Sequence, residues 1–240
     1  MTWGVATVAD VMAETAQTRS IALRVPGWPG HKAGQHVDVR LTAQDGYQAQ
    51  RSYSIASAPE DEHVVVTVER LPDGEVSPYL VDELRTGDEL ELRGPIGGYF
   101  VWEQSLGGPL QLIAGGSGIV PFRSMLRHHR AIASAVPTRL LCSARSLALL
   151  IYRDELLELA AHDPFDVSVT LTRQQPDGWR GHRRRIDRDL IEEVAWPAAD
   201  RPLVYVCGPT AFVETATSAL VALGHDDALI RAERFGGAGS

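Results

Sequence analysis

The chain has 240 residues, 44% of them hydrophobic, and a formal charge of −8, which suits one large soluble domain or two modest ones. The acidic balance argues against non-specific nucleic-acid binding, and no apolar run reaches the roughly 20 residues that span a bilayer. Two cysteines, Cys142 and Cys207, are too few thiolates for an iron–sulfur cluster, and no histidine stands at zinc-ligand spacing beside either.

The opening Met1-Thr2-Trp3-Gly4-Val5 lacks the basic and apolar regions of a signal peptide, so a cytoplasmic protein is expected. The first hundred residues then read as β structure. Residues 21–25, 35–41, 51–55, 64–70 and 89–93 are short runs rich in β-branched side chains. Pro26-Gly27, Asp45-Gly46, Pro72-Asp73-Gly74 and Thr86-Gly87-Asp88 separate them as turns. Many short strands at close spacing predict a small antiparallel barrel. One helix over 77–84 is expected to interrupt it, with Ser77 as cap and Pro78 in the first turn.

After Gly107-Gly108-Pro109 the rhythm changes. Strands are predicted over 110–114, 139–143, 165–171, 203–207 and 229–233. Helical segments are predicted over 121–133, 153–161, 190–194 and 211–223. Continuous apolar strands alternating with helices predict a parallel sheet covered on both faces. Two domains follow, 1–104 and 105–240.

Three motifs can carry chemistry. In Arg51-Ser52-Tyr53-Ser54, alternation sets Arg51 and Tyr53 on one face and Ser52 and Ser54 on the other. An Arg fork matches phosphate, an aromatic ring lies against a planar heterocycle, and a terminal hydroxyl can bond a ring nitrogen. The same four residues also suit a plain strand with an exposed Arg and a packed Tyr. Downstream, Gly74-Glu75-Val76-Ser77 offers a glycine and a helix N-terminus as a second anion site. In the nucleotide half, Ala114-Gly115-Gly116-Ser117-Gly118-Ile119-Val120-Pro121 follows an apolar strand and opens a helix. That is the context of a dinucleotide site, and equally of a structural turn. Cys207-Gly208-Pro209 ends a later strand at the edge where ligands of parallel sheets bind. A buried cysteine packing as a small hydrophobe is the other account.

In this order the pieces resemble the ferredoxin–NADP reductase superfamily along essentially the whole chain. Arg51-Ser52-Tyr53-Ser54 resembles its flavin signature RxYS. Thr67-Val68-Glu69-Arg70 aligns with the strand that passes the flavin phosphates, and Gly74-Glu75-Val76-Ser77 with its GxxS turn. Gly94-Pro95-Ile96-Gly97 is similar to GPxG, Gly116-Ser117-Gly118-Ile119-Val120-Pro121-Phe122-Arg123 to GTGIAPFR, and Cys207-Gly208-Pro209 to CG(P/L). Glu233-Arg234-Phe235 resembles the acidic–aromatic C-terminal element.

The resemblance implies an N-terminal antiparallel Greek-key β-barrel for flavin, followed by a Rossmann-like parallel-sheet α/β domain for a nicotinamide nucleotide. FAD is expected on Arg51, Ser52, Tyr53, Ser54, Thr67, Val68, Glu69, Gly74, Glu75, Val76 and Ser77, with Phe235 over its other face; FMN is less favoured. The nucleotide is expected on Gly116, Ser117, Gly118, Ile119, Pro121, Cys207, Gly208 and Pro209. Thr172-Arg173 matches the pair that binds a ribose 2′-phosphate. Arg145 and Arg180 can complete that clamp, so NADPH is favoured over NADH. The catalytic group is expected to be Ser54 near the flavin N5, Cys207 at the nicotinamide edge, and Glu233 orienting Ser54 or tuning charge. The implied activity is an NAD(P)H-dependent flavoprotein reductase. Because no cysteine cluster accompanies it, its electrons are expected to pass to a separate ferredoxin, flavodoxin or oxygenase component. An electron-transfer subunit with little turnover alone, or a flavin reductase, are the alternatives. Arg123, Arg127 and Arg130 are a candidate docking face for an acidic partner, or a soluble helix exterior.

Overall fold

The computed structural model describes residues 2–43 and 45–235. They cluster into two compact units, which are described separately. One holds the described residues up to Trp102 together with Val120–Ile132. The other holds Glu103–Ile119 and the described residues from Ala133 onward.

The first unit contains β1 (Gly4–Thr15), β2 (Thr18–Arg24), β3 (His36–Thr42), β4 (Gln48–Ser54), β5 (Val64–Glu69) and β6 (Glu89–Ile96). They pair antiparallel in the order β4-β3-β6-β1-β2-β5. The two outer strands then meet: Ile55 bridges Val66, and the Ala56 N–H donates to the Val65 carbonyl at 2.7 Å. These contacts join the two ends of the sheet just past β4. Period-two alternation sends Val37, Val39, Val66, Val68, Leu90 and Leu92 into one core.

One sequence expectation changes here. β1 has no counterpart among the predicted strands. Its Ala, Met and Glu content does not favour a strand, and its identity comes from pairing with β2 on one side and β6 on the other. The helix expected over 77–84 is present over 77–83, π-helical from Tyr79 to Glu83 and without a side-chain cap. The Ser77 hydroxyl instead accepts the Leu71 N–H at 3.0 Å, stapling the preceding turn.

The second unit carries β7 (Leu110–Gly115), β8 (Thr138–Ser146), α2 (Arg153–Leu159), β9 (Phe165–Gln174), α3 (Arg188–Val194), β10 (Leu203–Pro209), α4 (Thr210–Ala222) and β11 (Ile230–Phe235). The strands are all parallel, in the order β11-β10-β7-β8-β9. β7 is buried along its whole length, as a strand covered on both faces must be. Leu190 of α3 and Val213 and Leu220 of α4 pack on Ile113, Val204 and Val206. Asp187 caps α3 by accepting the Leu190 N–H at 2.8 Å.

The remaining helix, α1 (Ile119–Ala131), starts directly after the 3₁₀ turn Gly116–Gly118. From Val120 it groups with the barrel. Phe122 stacks on Phe100 at 5.9 Å and His129 on Trp102 at 5.4 Å. Ser124 donates to the Ser57 carbonyl at 2.6 Å, and Arg127 makes two 3.0 Å bonds to Asp61. The Arg127 guanidinium is thus bound to Asp61 while its side chain stays 37% exposed.

Candidate active site

The barrel register decides what each residue of Arg51–Ser54 faces. Tyr53 pairs with Val37 and Arg51 with Val39, while Ser52 pairs with Asp38 and Ser54 with His36. Directly paired residues share a face, so Tyr53 lies on the core side and packs against the hydrophobic cluster. Burial pushes its phenol up. Ser52 lies on the outer face, where its hydroxyl donates to Asp38 at 2.6 Å and Arg93 binds the other carboxylate oxygen. The side chain of Ser52 is therefore spent on barrel structure. The half-buried Ser54 hydroxyl makes no hydrogen bond to any described residue, so it is available to a ligand.

Arg51 is exposed and already holds an anion. Its guanidinium donates to the Gln50 carbonyl at 2.7 Å and to the Glu75 carboxylate at 2.8 Å. Tyr47, a residue the sequence reading missed, donates its hydroxyl to the other Glu75 oxygen at 2.6 Å. The only signal for Tyr47 was its place just past the Asp45-Gly46 turn. The Tyr47 and Arg51 bonds hold the Glu75 carboxyl below its usual range. Glu75 is thus brought to Arg51, and its carboxylate occupies one terminal nitrogen of the guanidinium. The short helix expected beside it begins at Ser77, two residues past Glu75. Val76 and Ser77 are buried beneath the turn. On β5, Val68 is fully buried, the Thr67 hydroxyl meets Ser20 at 2.8 Å, and Glu69 ends the strand half-buried.

In the second unit the sequence motifs converge on the carboxyl ends of the strands. Gly116 has φ +56, and a Cβ there would meet nothing within 4 Å. The backbone faces open space in a conformation that costs other residues energy. Gly118 is the opposite case: a Cβ would collide with the Cys207 carbonyl and lie 2.9 Å from the Gly208 nitrogen. The turn therefore seats directly on β10, bringing Gly116, Ser117 and Gly118 beside Cys207 and Gly208, while Ile119 begins α1 and Pro121 lies in its first turn. Phe212, also absent from the sequence reading, packs against Gly115 and Gly208.

Cys207 pairs in register with Glu233, and Pro209 with Phe235. Burial, then the nearby Glu233, push the Cys207 thiol up, so it is a neutral packing group at physiological pH. Burial raises the Glu233 carboxyl to about 7, so its charge changes near neutral pH. Phe235 is the last described residue, and the Gly236–Ser240 tail lies outside the described residues.

Arg145 sits at the irregularity between Ala144 and Ser146, where β8 pairs with the end of β9. Thr172 donates to the Ala144 carbonyl at 3.4 Å, so Thr172-Arg173 lies beside Arg145. The loop after β9 returns to bridge Thr170 through His182, two residues past Arg180. Among the described residues, Arg145, Arg173 and Arg180 have no carboxylate partner. Their neighbours are committed: Arg183 to the Trp179 carbonyl at 2.7 Å and Arg184 to Glu193 at 2.9 Å. An open depression of about 680 Å³ lined by Gln104, Val136, Pro137, Trp196 and Asp200 lies at the opposite, amino end of β7 and β8. It is not the ligand edge of such a sheet.

A barrel-like antiparallel sheet followed by a parallel sheet with a glycine turn at its carboxyl edge matches the fold that the resemblance implies. Comparison with known proteins agrees. Residues 6–101 match the oxidoreductase FAD-binding domain and residues 112–218 the oxidoreductase NAD-binding domain. The chain belongs to the ferredoxin–NADP reductase superfamily.

It is 32% identical over 209 residues to the glycine betaine monooxygenase reductase subunit of Chromohalobacter salexigens, across 85% of this chain and 56% of that protein. It is 30% identical over 227 residues to the ferredoxin reductase component of the 3-ketosteroid-9-alpha-monooxygenase of Mycobacterium tuberculosis, across 90% of this chain and 61% of that one. The chain therefore spans little more than half the length of these curated relatives. Among solved structures, it resembles the flavohaem-like FAD/NAD-binding domain of a nitric oxide dioxygenase from Vibrio cholerae. The TM-score is 0.87 at 25% identity, covering 98% of this chain and 99% of that one. Among the described residues, no helix is long and apolar enough to cross a membrane.

Proposed function

We propose that the chain is an FAD-dependent oxidoreductase that takes a hydride from NADPH and delivers electrons to a separate oxygenase component, ferredoxin or flavodoxin, in the cytoplasm. The observation that carries this reading is the carboxyl edge of the second sheet. There a glycine turn seats on Cys207, and Glu233, with its carboxyl at about 7, stands in register beside it. The domain reading is FAD on residues 1–104 and the nucleotide on 105–240.

Bound FAD would supply the hydride acceptor and the means of releasing electrons one at a time. The chain's own residues bind, orient and tune. Arg51 neutralises phosphate, with the backbone of Thr67–Glu69 and of Gly74–Ser77 alongside. Tyr53 offers a rigid aromatic surface and Ser54 a free hydroxyl for the N5 edge. Gly116–Gly118, Ile119, Pro121, Gly208 and Pro209 shape the pyrophosphate and nicotinamide positions, with Phe235 covering a flavin face. The unpaired Arg145, Arg173 and Arg180 support NADPH over NADH, because a 2′-phosphate needs cations not already neutralised. That curated relatives are reductase components of monooxygenases favours an oxygenase component as acceptor. A flavin reductase is a second reading, opposed by the charged anchor at Arg51.

Purification tests this directly. The protein should be yellow, and heat should release FAD rather than FMN on chromatography. NADPH should bleach the colour rapidly, and a purified oxygenase component or ferredoxin should restore it. A colourless protein that refuses added flavin would refute the proposal. Arg51→Ala should weaken flavin retention by about 1.5–3 kcal/mol, the worth of a charge-assisted hydrogen bond.

A further inference from the structure

The Tyr47–Glu75–Arg51 cluster has no evident stabilising purpose. All three side chains are exposed: Tyr47 at 57%, and the Arg51 and Glu75 side chains at 52% and 48%. Ion pairs so exposed contribute little to folding. The cluster does tie the hairpin before β4 to the turn before Val76, the two places from which the proposed site addresses phosphate. The Glu75 carboxylate also lies on a terminal nitrogen of the guanidinium that a phosphate would need, and two donors keep it charged.

We propose that Glu75 is an intramolecular competitor for the flavin diphosphate at Arg51, held in place by Tyr47, and that it sets how tightly the chain retains FAD. This rests on the reading of Arg51 as a flavin-phosphate ligand. The physical argument is one of charge. A carboxylate bonded to the guanidinium puts a negative charge where the diphosphate must come, so binding has to break the Arg51–Glu75 bond and accept the repulsion of a displaced anion nearby. A residue that merely braced Arg51 would act oppositely, because its removal would loosen FAD. The sign of the effect therefore separates the two roles.

The test uses the full chain, stripped of flavin and titrated with FAD by calorimetry, in wild type, Glu75→Gln, Tyr47→Phe and Arg51→Ala. Glu75→Gln keeps the size and polarity of the side chain and removes only its charge, and it should lower the FAD dissociation constant about three- to tenfold. Tyr47→Phe frees the carboxylate to move away and should lower it by a smaller factor. Raising salt should weaken FAD binding to Glu75→Gln more steeply than to wild type, because the unneutralised Arg51 then carries more of the attraction. Unchanged or weaker binding by Glu75→Gln, with Arg51→Ala still weakening FAD, would overturn the competitor while leaving the flavin site intact. Failure of wild type itself to bind FAD would remove the flavin reading and the competitor together.

Discussion

The two units present their proposed ligand-binding groups in different ways. In the barrel the proposed groups are side chains brought together from separate segments. Arg51 comes from β4, Glu75 from a turn 24 residues on, and Tyr47 from the hairpin. These contacts are exposed and exchangeable, and each can be lost without opening the core. In the parallel sheet the working surface is backbone at strand ends, where Gly118 rests against Cys207 and leaves no room for a side chain. One unit can be retuned residue by residue. The other tolerates change only where its backbone faces open space.

Gly118→Ala should expose that difference most sharply. Its Cβ meets backbone carbonyl and nitrogen atoms that cannot move independently, so we expect a loss above about 3 kcal/mol, in the range of severe overpacking. Thermal unfolding and nucleotide titration would register it, and wild-type values in both would break the comparison. Arg173→Ala comes next. Losing one charged phosphate contact should raise the Michaelis constant for NADPH about ten- to a hundredfold and leave NADH nearly untouched. Equal losses with both nucleotides would place Arg173 outside the phosphate clamp.

The third test concerns Glu233 and Ser54, one group from each unit. Ser54→Ala should slow flavin reduction at least tenfold, about 1.4 kcal/mol, with FAD still bound. For Glu233 the prediction is a pH profile. The carboxylate formed above about 7 favours the positive charge that a donor ring acquires as it loses hydride. Flavin reduction should therefore accelerate as pH rises through 7, and Glu233→Gln should stay at the low-pH rate throughout. The same shift predicts a stability trend. The folded carboxyl is raised above its ordinary 4.5, so the folded chain keeps a proton that the unfolded chain loses. Stability should then fall as pH climbs from 4.5 towards 7, and Glu233→Gln should flatten that fall. A pH-independent rate in wild type would remove Glu233 from the reacting centre.

The smallest effect is expected at Gly116. Alanine there meets open space and suffers only the strain of φ +56, about 1 kcal/mol. The contrast with Gly118, two residues away, is the finest measure of how the turn is built.

The sequence by itself determined the class of each half. Apolar runs of five or six residues alternating with helical segments dictated β7 to β11, because a strand buried on both faces can carry few polar residues. The ordered motifs around Arg51, Gly116 and Cys207 carry the proposed ligand chemistry, because phosphate and planar rings demand those residue types. Tertiary structure alone decided matters that depend on a distant partner. β1 is a strand because two neighbours pair with it, and Ser77 is drawn to Leu71 rather than capping the helix it opens. Ser52 is lost to Asp38 while its neighbour Ser54 stays free, a distinction set by barrel register. Arg127 is bound by Asp61, and Arg51 meets Glu75 across a gap in sequence that no local pattern spans. Local propensity and spacing are legible along a chain, but which donor is already bonded becomes visible only when distant segments are brought within 3 Å of each other.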